Sequence, residues 1–434
     1  MTAPPNRKLK DLRHQAGFVH ARFGDLNDSR SVVIEGQGHR PYDVTCMTPL
    51  YIHLSVTQNC FARCKGCINV TVTSPGSDSG PLHASAMDTV PERDARCILN
   101  LARSNGKHPF AVCFYGGEPL LAADKIHRVC QILDQSDLAG QSSYMIYTNG
   151  ELIQSAIEKY PDMMKNVWLY AVSIDGTAAQ HDRVRQGTRL ATIHDNLYEL
   201  NKIRNGQVLM WSTLREEQSL QDCFDEFLFL HRQNLADHFF WHWVETDAPF
   251  EDFDAYVKNY EKDFSMVMAT YIQWLAEGKI LPIAHVNELI TYILTGMGRN
   301  SSACGVELAK NYDLVNGKIH SCADLPLDMA IGHIEADGTP KLDSAALSCL
   351  VEYKKDLNCR ACGVHSYCGG RCPVQAFTNG YERLIQYCQL MRLHVGMVQE
   401  SMPDIARALK ARNISLQDLY DQSAYYAQFT DVTP

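Results

Sequence analysis

The chain has 434 residues, 45% of them hydrophobic, and a formal net charge of −10. This length exceeds that of one ordinary domain, so we expect two or more domains with substantial apolar cores. The negative charge argues against a nucleic-acid-binding surface, because phosphate contacts need clustered Lys and Arg.

The first predicted strand, Leu50–Val56, leads directly into three cysteines, Cys60, Cys64 and Cys67. Three thiolates can hold three irons of a four-iron cluster, which leaves the fourth iron open to a small molecule. A zinc knuckle or three unrelated thiols would explain the same residues. Zinc sites usually have four ligands, commonly in paired C-x-x-C form, and the sequence has no second pair nearby.

Three further apolar runs each end in a polar or glycine-rich turn. The runs are Val112–Tyr115, Tyr144–Tyr147 and Val167–Val172. The residues of interest after them are Gly116, Gly117 and Glu118, then Asn149, then Ser173 and Arg185. Adjacent glycines let a backbone approach a ligand closely. Each turn alone is typical of the loop that follows any strand. Together the turns place polar groups after successive strands, which is where the active site of an α/β barrel lies.

With these segments the chain resembles the radical SAM superfamily. The resemblance implies that Cys60, Cys64 and Cys67 hold a [4Fe-4S] cluster whose free iron chelates S-adenosylmethionine. It also implies residues around that cofactor, with the Gly-Gly-Glu turn at the methionine amino group and Ser173 and Arg185 near its carboxylate and ribose. These residues are Gly116, Gly117, Glu118, Asn149, Ser173 and Arg185.

The last third of the chain carries a second cysteine signature whose intervals are improbable by chance. Its members are Cys304, Cys322, Cys359, Cys362, Cys368, Cys372 and Cys388. A pair of structural zinc sites is one explanation. The spacing is similar to that of the SPASM extension, which carries two auxiliary iron–sulfur clusters in enzymes that modify peptides and proteins. By that resemblance one cluster is held by Cys359, Cys362, Cys368 and Cys388, and the other by Cys304, Cys322 and Cys372.

The second of these sets has only three cysteines. Sulfatase-maturing relatives add a cysteine shortly after the first one, but Gly305–Ser321 contains none. Cys349 is the one remaining cysteine of this region. We therefore expect a site that is either closed by Cys349 or left open for substrate.

Two more strand candidates, Val208–Ser212 and His238–Val244, bring the number of predicted strands to six. Segments with helical periodicity, such as Ile153–Lys165 and Asn196–Arg204, separate them, which favours parallel βα units. The sequence therefore predicts an α/β fold, a partial (β/α)6 TIM-like barrel followed by a loop-rich, cluster-binding SPASM domain.

The predicted boundaries follow from the strands and the cysteines. We expect helices at 253–267 and Val286–Leu294, and after Cys388 a helix up to Pro403 that resumes as far as Tyr420. The predicted units are an N-terminal arm at 1–45, the barrel at 46–250, a helical bridge at 251–300, the SPASM domain at 301–390 and a helical tail at 391–434.

The resemblance also implies the chemistry. A low-potential cluster donates one electron to S-adenosylmethionine, which yields methionine and a 5′-deoxyadenosyl radical that removes a hydrogen atom from the substrate. Two auxiliary clusters are useful when the radical formed on the substrate must lose a further electron. We therefore expect a net oxidation of the substrate. The favoured function is a maturase that installs a carbon–carbon or thioether cross-link in a ribosomally made peptide.

Three alternatives stay open: formylglycine formation as in sulfatase maturases, dehydrogenation of a small molecule, and a non-catalytic electron carrier. In sulfatase maturases a catalytic Asp directly follows the second cysteine of the auxiliary domain. Here Ala323 holds that place and Asp324 comes one residue later. Because one residue changes the direction of a side chain on an extended segment, this counts against formylglycine formation.

Two residues are candidates for catalysis, Asp324 as a base and His242 on the sixth strand. Alternation along that strand predicts Trp241 and Trp243 on one face and His242 on the other. A satisfied interior histidine is the competing interpretation of His242.

We expect a precursor peptide as substrate and a one-electron donor such as flavodoxin or ferredoxin, with neither nucleic acid nor membrane as a partner. The segment before Cys60 is too short for a separate leader-binding domain, so recognition falls to the barrel rim or the C-terminal tail. Thiols and clusters need reducing surroundings, so the sixteen cysteines predict a cytoplasmic protein. The N-terminus lacks the apolar core of a secretory signal, and no apolar run approaches the roughly 20 residues that span a bilayer.

Overall fold

The computed structural model describes residues 50–67, 88–105, 109–245, 249–296, 301–307, 311–322, 324–325, 329–343, 351–378 and 381–430. The predicted arm at 1–45, Ala323 and Cys349 lie outside the described residues. Within them, no helix is long and apolar enough to cross a membrane.

Twelve strands are described, and most of them share one sheet. They are β1 Leu50–Thr57, β2 Arg63–Cys64, β3 Phe110–Gly116, β4 Ser142–Thr148, β5 Leu169–Ser173, β6 Arg185–Gln186, β7 Gln207–Leu214, β8 His238–Trp243, β9 Asn311–Val315, β10 Lys318–His320, β11 Gly332–Ile334 and β12 Pro340–Leu342. Strands β1, β3, β4, β5, β7 and β8 are neighbours in that order and pair in parallel. These are the six strands predicted from the apolar runs, so the partial barrel is confirmed.

The helices follow the strands as βα units require. They are α1 Pro91–Ser104, α2 Ala123–Asp134, α3 Ile153–Lys159, α4 Pro161–Asn166, α5 Ala178–Val184, α6 Leu190–Asn201, α7 Leu220–Arg232, α8 Phe253–Ala276, α9 Ala284–Thr295, α10 Tyr353–Asp356, α11 His365–Cys368, α12 Pro373–Thr378, α13 Tyr381–Arg412 and α14 Leu416–Gln422. Short 3-10 turns lie at Pro119–Ala122, Cys359–Ala361 and Ala424–Phe429.

Two helix predictions differ from the structure, both at a proline. The expected helix Ile153–Lys165 is two helices, because Pro161 opens the second of them at its first turn. The expected break at Pro403 is absent, and α13 runs through it. A proline removes one backbone hydrogen bond, but α13 is held by tertiary contacts such as Tyr260 Oη to His394 Nδ1 at 3.0 Å.

Successive side chains along the parallel strands alternate between the core under the helices and the interior of the barrel. On β1, Ile52 and Leu54 belong to the large core under the helices, whereas Tyr51 belongs to a second apolar cluster inside the barrel. The members of this inner cluster that lie on strands are Tyr51, Ala111, Cys113, Met145, Leu169, Ala171, Leu209, Trp211 and Phe240. The next inward positions of the strands are polar or aromatic, and we call them the polar layer: His53, Tyr115, Tyr147, Ser173, Thr213 and His242.

The region after residue 300 is continuous with the barrel sheet. Strand β9 pairs in parallel with β1, and Asp313 stands opposite His53. Strands β10, β11 and β12 extend the sheet antiparallel, giving ten strands in the order β12-β11-β10-β9-β1-β3-β4-β5-β7-β8. Residues of the predicted cluster domain therefore reach the edge of the barrel interior.

The described end of the C-terminal tail packs inside the barrel. Phe429 and Tyr426 are buried within the inner apolar cluster, and the ring of Phe429 lies 4.7 Å from that of Trp168. The hydroxyl of Tyr147 donates to the carbonyl of Phe429 at 2.7 Å. This segment forms a floor beneath the polar layer, so it is not an exposed arm for peptide recognition.

Candidate active site

The three N-terminal cysteines lie just beyond the carboxyl end of β1, in a loop that is pinned at its centre. Cys64 pairs with Arg185 in the short antiparallel sheet of β2 and β6. The backbone N–H of Lys65 donates to Val184 at 2.9 Å. Burial raises the pKa of Cys60 to about 11, with Glu118, Cys64 and Cys67 adding to the effect. These thiols therefore lie together beside the Gly-Gly-Glu turn.

The two glycines of that turn are needed for a close backbone approach to the cysteine loop. A side chain at Gly116, where φ is +140°, would meet the carbonyl oxygen of Thr57 at 2.0 Å. A side chain at Gly117 would meet that of Asn59 at 2.4 Å. The N–H of Gly117 donates to Thr57 at 2.8 Å, and that of Glu118 to Asn59 at 2.9 Å. The turn thus anchors the segment that carries Cys60.

The carboxylate of Glu118 is fully buried and bonds to the chain itself. It accepts hydrogen bonds from Thr148 Oγ1 at 2.7 Å, from the N–H of Asn149 at 2.8 Å and from that of Leu120 at 3.1 Å. Its side chain therefore joins the ends of β3 and β4 and has no exposed face for an ammonium group. The predicted role of Glu118 at the methionine amino group stays a prediction. Because the carboxylate is not exposed, the backbone of Glu118 would have to make that contact.

Glu118 also predicts a pH dependence of stability. Burial raises its pKa to about 7, from an ordinary value of 4.5, so the folded chain binds this proton more tightly than the unfolded chain. We expect the free energy of unfolding to fall by about 3 kcal/mol as pH rises through this interval. Urea denaturation of the protein and of Glu118→Gln between pH 4.5 and pH 8 measures it. Parallel stability curves for the two proteins would contradict the prediction.

Arg185 belongs to a buried ion-pair network that sequence reasoning missed. Its Nε lies 2.7 Å from Asp175 Oδ2, and Arg215 Nη1 lies 2.7 Å from the same oxygen. Burial alone would raise the pKa of Asp175, but Arg185 and Arg215 hold it well below its ordinary value. Arg185 Nη1 also lies 3.8 Å from Cys64 Sγ, and Arg215 donates to the carbonyl of Lys65. The network therefore fixes the cysteine loop over the barrel.

Two other predicted cofactor residues lie at the same edge. Asn149 follows β4, and its Nδ2 is buried without a hydrogen-bond partner, whereas its Oδ1 accepts from the N–H of Glu151 at 3.0 Å. Ser173 ends β5 and is half-buried. The structure thus brings every predicted cofactor residue to the carboxyl edge of β3, β4 and β5 or to β6. The Nδ2 of Asn149 is a donor available to a polar ligand.

His242 lies in the polar layer as the alternation predicted. Its Nε2 contacts Thr213 Oγ1 at 2.9 Å, and its Nδ1 is buried without a partner. Burial lowers the pKa of His242 to about 3, so the ring is neutral. Trp241 and Trp243 belong instead to the core under the helices.

The opposite side of the polar layer holds charges that are distant in sequence. His53 Nδ1 lies 2.9 Å from Asp313 Oδ1, and the ring of Tyr115 lies 5.6 Å from that of His53. The hydroxyl of Tyr115 is buried without a partner. Burial raises the pKa of Tyr115 well above its ordinary value, and Asp313, Asp324 and Cys322 add to the effect. Asp324 and Cys322 therefore lie beside the barrel interior.

The C-terminal cysteines fall into the two predicted groups. Burial raises the pKa of Cys388 well above its ordinary value, and the added effects come from Cys362, Cys368 and Cys359. The same holds for Cys322, whose thiol partners are Cys372 and Cys304. Such mutual effects require thiols that lie close together. We call these groups the four-cysteine set (Cys359, Cys362, Cys368, Cys388) and the three-cysteine set (Cys304, Cys322, Cys372).

Cysteine thiolates are the usual protein ligands of iron–sulfur clusters. All described cysteines are free of disulfides. Among the residues that the structure describes, no three His, Cys, Asp or Glu side chains converge closely enough for one metal ion. Because these thiols are buried, their ligation would release protons.

Comparison with known proteins agrees with this geometry. A model described as a 4Fe-4S single cluster domain matches residues 34–192. Histidine-tagged anSMEcpe with bound AdoMet is 17% identical, with a TM-score of 0.62 over 86% of this chain and 98% of that chain. Native anSMEcpe with bound AdoMet and Cp18Cys peptide is also 17% identical, with a TM-score of 0.59 over 84% and 99%.

The chain has the fold of anSMEcpe over most of its length. Streptococcus suis SuiB bound to the precursor peptide SuiA is a weaker match, 15% identical with a TM-score of 0.48 over 78% of this chain and 76% of that chain. No curated protein matches the sequence.

Within this fold, sequence reasoning missed the residues that hold the site together. Asp175 stands two residues after Ser173, and Arg215 directly follows β7, so their positions after strands were a usable signal. No local pattern pointed to His53 and Asp313, because they are 260 residues apart and meet only through the pairing of β1 with β9.

Proposed function

We propose that the chain is a radical SAM enzyme that oxidatively modifies a ribosomally made peptide, forming a carbon–carbon or thioether cross-link. The observation that carries this proposal is the position of the polar layer between two sets of thiols. At one side, the N–H of Thr213 donates to Asp175, which is paired with Arg185 beside Cys64 Sγ. At the other side, Cys322 and Asp324 lie close to Tyr115. A substrate in the barrel interior would face both sites.

Three [4Fe-4S] clusters are proposed, one at Cys60, Cys64 and Cys67 and one at each C-terminal set. Bound together, the first cluster and S-adenosylmethionine supply a carbon radical that can take a hydrogen atom from substrate. The buried Nδ2 of Asn149 offers the cofactor a hydrogen-bond donor. Gly116 and Gly117 hold the cysteine loop in place, and Ser173 and Arg185 line the same edge.

The walls of the polar layer suit a substrate side chain with polar atoms. Tyr115 Oη and His242 Nδ1 are buried atoms without partners, and a bound peptide could satisfy both. The floor made by Phe429 and Tyr426 keeps solvent out from below. A structure of similar fold, anSMEcpe, holds the Cp18Cys peptide, which supports a peptide as the substrate class.

Asp324 is proposed as the base that takes a proton from the oxidised substrate. We expect Asp324→Asn to lower product formation by about 10²-fold or more, while formation of 5′-deoxyadenosine persists because it does not depend on that proton. The matched control is Asp337→Asn, an exposed acid in the β11–β12 turn. Undiminished product from Asp324→Asn removes the assignment. His242 is tested in parallel as His242→Gln.

Formylglycine formation is the second candidate. It is supported by the proximity of Asp324 to Cys322, whose pKa it raises. A cross-link and the oxidation of a serine to formylglycine both remove two hydrogens from the peptide, whereas oxidation of a cysteine also exchanges sulfur for oxygen. An aldehyde-specific hydrazide probe combined with tandem mass spectrometry of the treated peptide separates the two products, because only formylglycine carries an aldehyde.

The test uses the protein reconstituted with iron and sulfide without oxygen, a chemical or flavodoxin-type electron donor, and the peptide encoded beside its gene. We expect cofactor-dependent 5′-deoxyadenosine and a cross-linked peptide. Cys64→Ala should abolish both, whereas Cys130→Ala, a buried cysteine of α2 outside all three sets, should not. Zinc instead of iron in the purified protein would contradict the proposal. Iron counting in Cys349→Ala tests whether that thiol closes the three-cysteine set.

A further inference from the structure

We propose that Tyr353 is a positioning residue that sets the reduction potential of the four-cysteine set through the segment that joins it to the three-cysteine set. This inference rests on the proposed function, because it assumes clusters at both sets. It concerns only how the chain holds them.

The joining segment is short and contributes to both sites. Cys368 at its start belongs to the four-cysteine set, and Cys372 at its end belongs to the three-cysteine set. Three consecutive residues between them, Gly369, Gly370 and Arg371, have φ values of 67°, 101° and 65°. A non-glycine residue in this region is strained, so surrounding contacts must hold the segment in place.

Tyr353 supplies such contacts from the first position of α10. Its hydroxyl lies 3.1 Å from the carbonyl oxygen of Gly370 and 3.0 Å from that of Arg371, and it is the donor to both. The side chain is 1% exposed. Its ring packs in a small separate core with Leu357 and Cys359. The thiols of both sets act electrostatically on its hydroxyl, so it lies between them.

The consequence for the cluster lies in the peptide group between Gly370 and Arg371, whose carbonyl oxygen Tyr353 contacts. The backbone N–H of Arg371 donates to Cys368 Sγ at 3.2 Å. Hydrogen bonds to cluster sulfurs are among the features that set the potential. They stabilise the more negative, reduced form and thus raise it. Because Tyr353 holds the carbonyl oxygen of Gly370, which lies in the same peptide plane as this N–H, it fixes the orientation in which the N–H points at the sulfur.

A second contact of α10 reaches the three-cysteine set. Lys354 Nζ lies 2.8 Å from Glu307 Oε1, which also accepts from the N–H of Ser302 at 2.8 Å, two residues before Cys304. One short helix therefore ties ligand segments of both sites. Loss of the hydroxyl should disturb mainly the four-cysteine set, since this second tie stays in place.

The test is a redox titration of the reconstituted protein followed by electron paramagnetic resonance. For Tyr353→Phe we expect unchanged iron content, a lower potential for the four-cysteine cluster, and an unchanged potential for the cluster at Cys60. The control is Tyr271→Phe, which removes an equally buried hydroxyl that bonds to Asn287 in the contact between α8 and α9. It should leave all potentials unchanged.

A further variant places 4-aminophenylalanine at position 353, which restores a donor at the same place, and it should recover the wild-type potential. An unchanged potential in Tyr353→Phe overturns the inference. So does iron loss in both variants, because the hydrogen bond would then not be the decisive feature. Iron loss in Tyr353→Phe alone also overturns it, because the hydroxyl would then be needed to retain the cluster and not to set its potential. Wild-type protein that holds no auxiliary cluster refutes the proposed function, separately from any effect of Tyr353.

Discussion

Asp175→Asn should destabilise the protein by about 3–5 kcal/mol, because it leaves two buried guanidinium groups without their shared carboxylate. Arg185 and Arg215 are 8% and 4% exposed, and Asp175 is fully buried. The substitution keeps the size of the side chain, so the loss comes from charge and not from packing. Urea denaturation of the apoprotein under reducing conditions measures the free energy of unfolding.

The same substitution should also lower the iron held by the N-terminal cysteines. Arg215 donates to the carbonyl of Lys65, and Arg185 contacts Cys64 Sγ, so both arginines orient the loop only while Asp175 holds them. The matched control is Asp137→Asn, which breaks an exposed pair with Arg103 and should cost less than about 1 kcal/mol. Equal effects of the two substitutions would refute the role assigned to the network.

Phe429→Ala should cost about 3–5 kcal/mol, the usual effect of removing a large aromatic ring from a core. Phe429 is 2% exposed, and its ring contacts those of Trp168 at 4.7 Å and Tyr51 at 5.5 Å inside the barrel. The cavity would open beneath Tyr147, which bonds to the backbone of the same residue. We therefore expect lower product formation as well, since water would reach the polar layer from below.

The control for this effect is Phe229→Ala on α7, where the ring is 43% exposed. That substitution should change the free energy of unfolding by less than about 1 kcal/mol. Denaturation curves for both variants give the comparison. If Phe429→Ala were as mild as Phe229→Ala, the tail would not be part of the barrel core.

The sequence predicted the strands of the barrel well, because buried parallel strands are nearly continuous apolar runs. Val112–Tyr115 and Tyr144–Tyr147 lie within β3 and β4 as observed. Helix ends predicted at prolines were less reliable, because a proline ends a helix only when no tertiary contact holds its two halves together. Pro161 separates two helices, whereas α13 continues through Pro403.

The cysteine spacing by itself also determined the resemblance to a cluster-binding domain, and that resemblance predicted which thiols belong together. Only the tertiary structure decided what surrounds them. The carboxylate of Glu118 turned inward to bond with Thr148, and Asp313 met His53 across 260 residues. Such contacts depend on strand pairing and on the burial of charge, and neither leaves a pattern in the local order of residues. The packing of Phe429 inside the barrel could not be predicted for the same reason. A short aromatic segment becomes part of a core only when the barrel strands surround it.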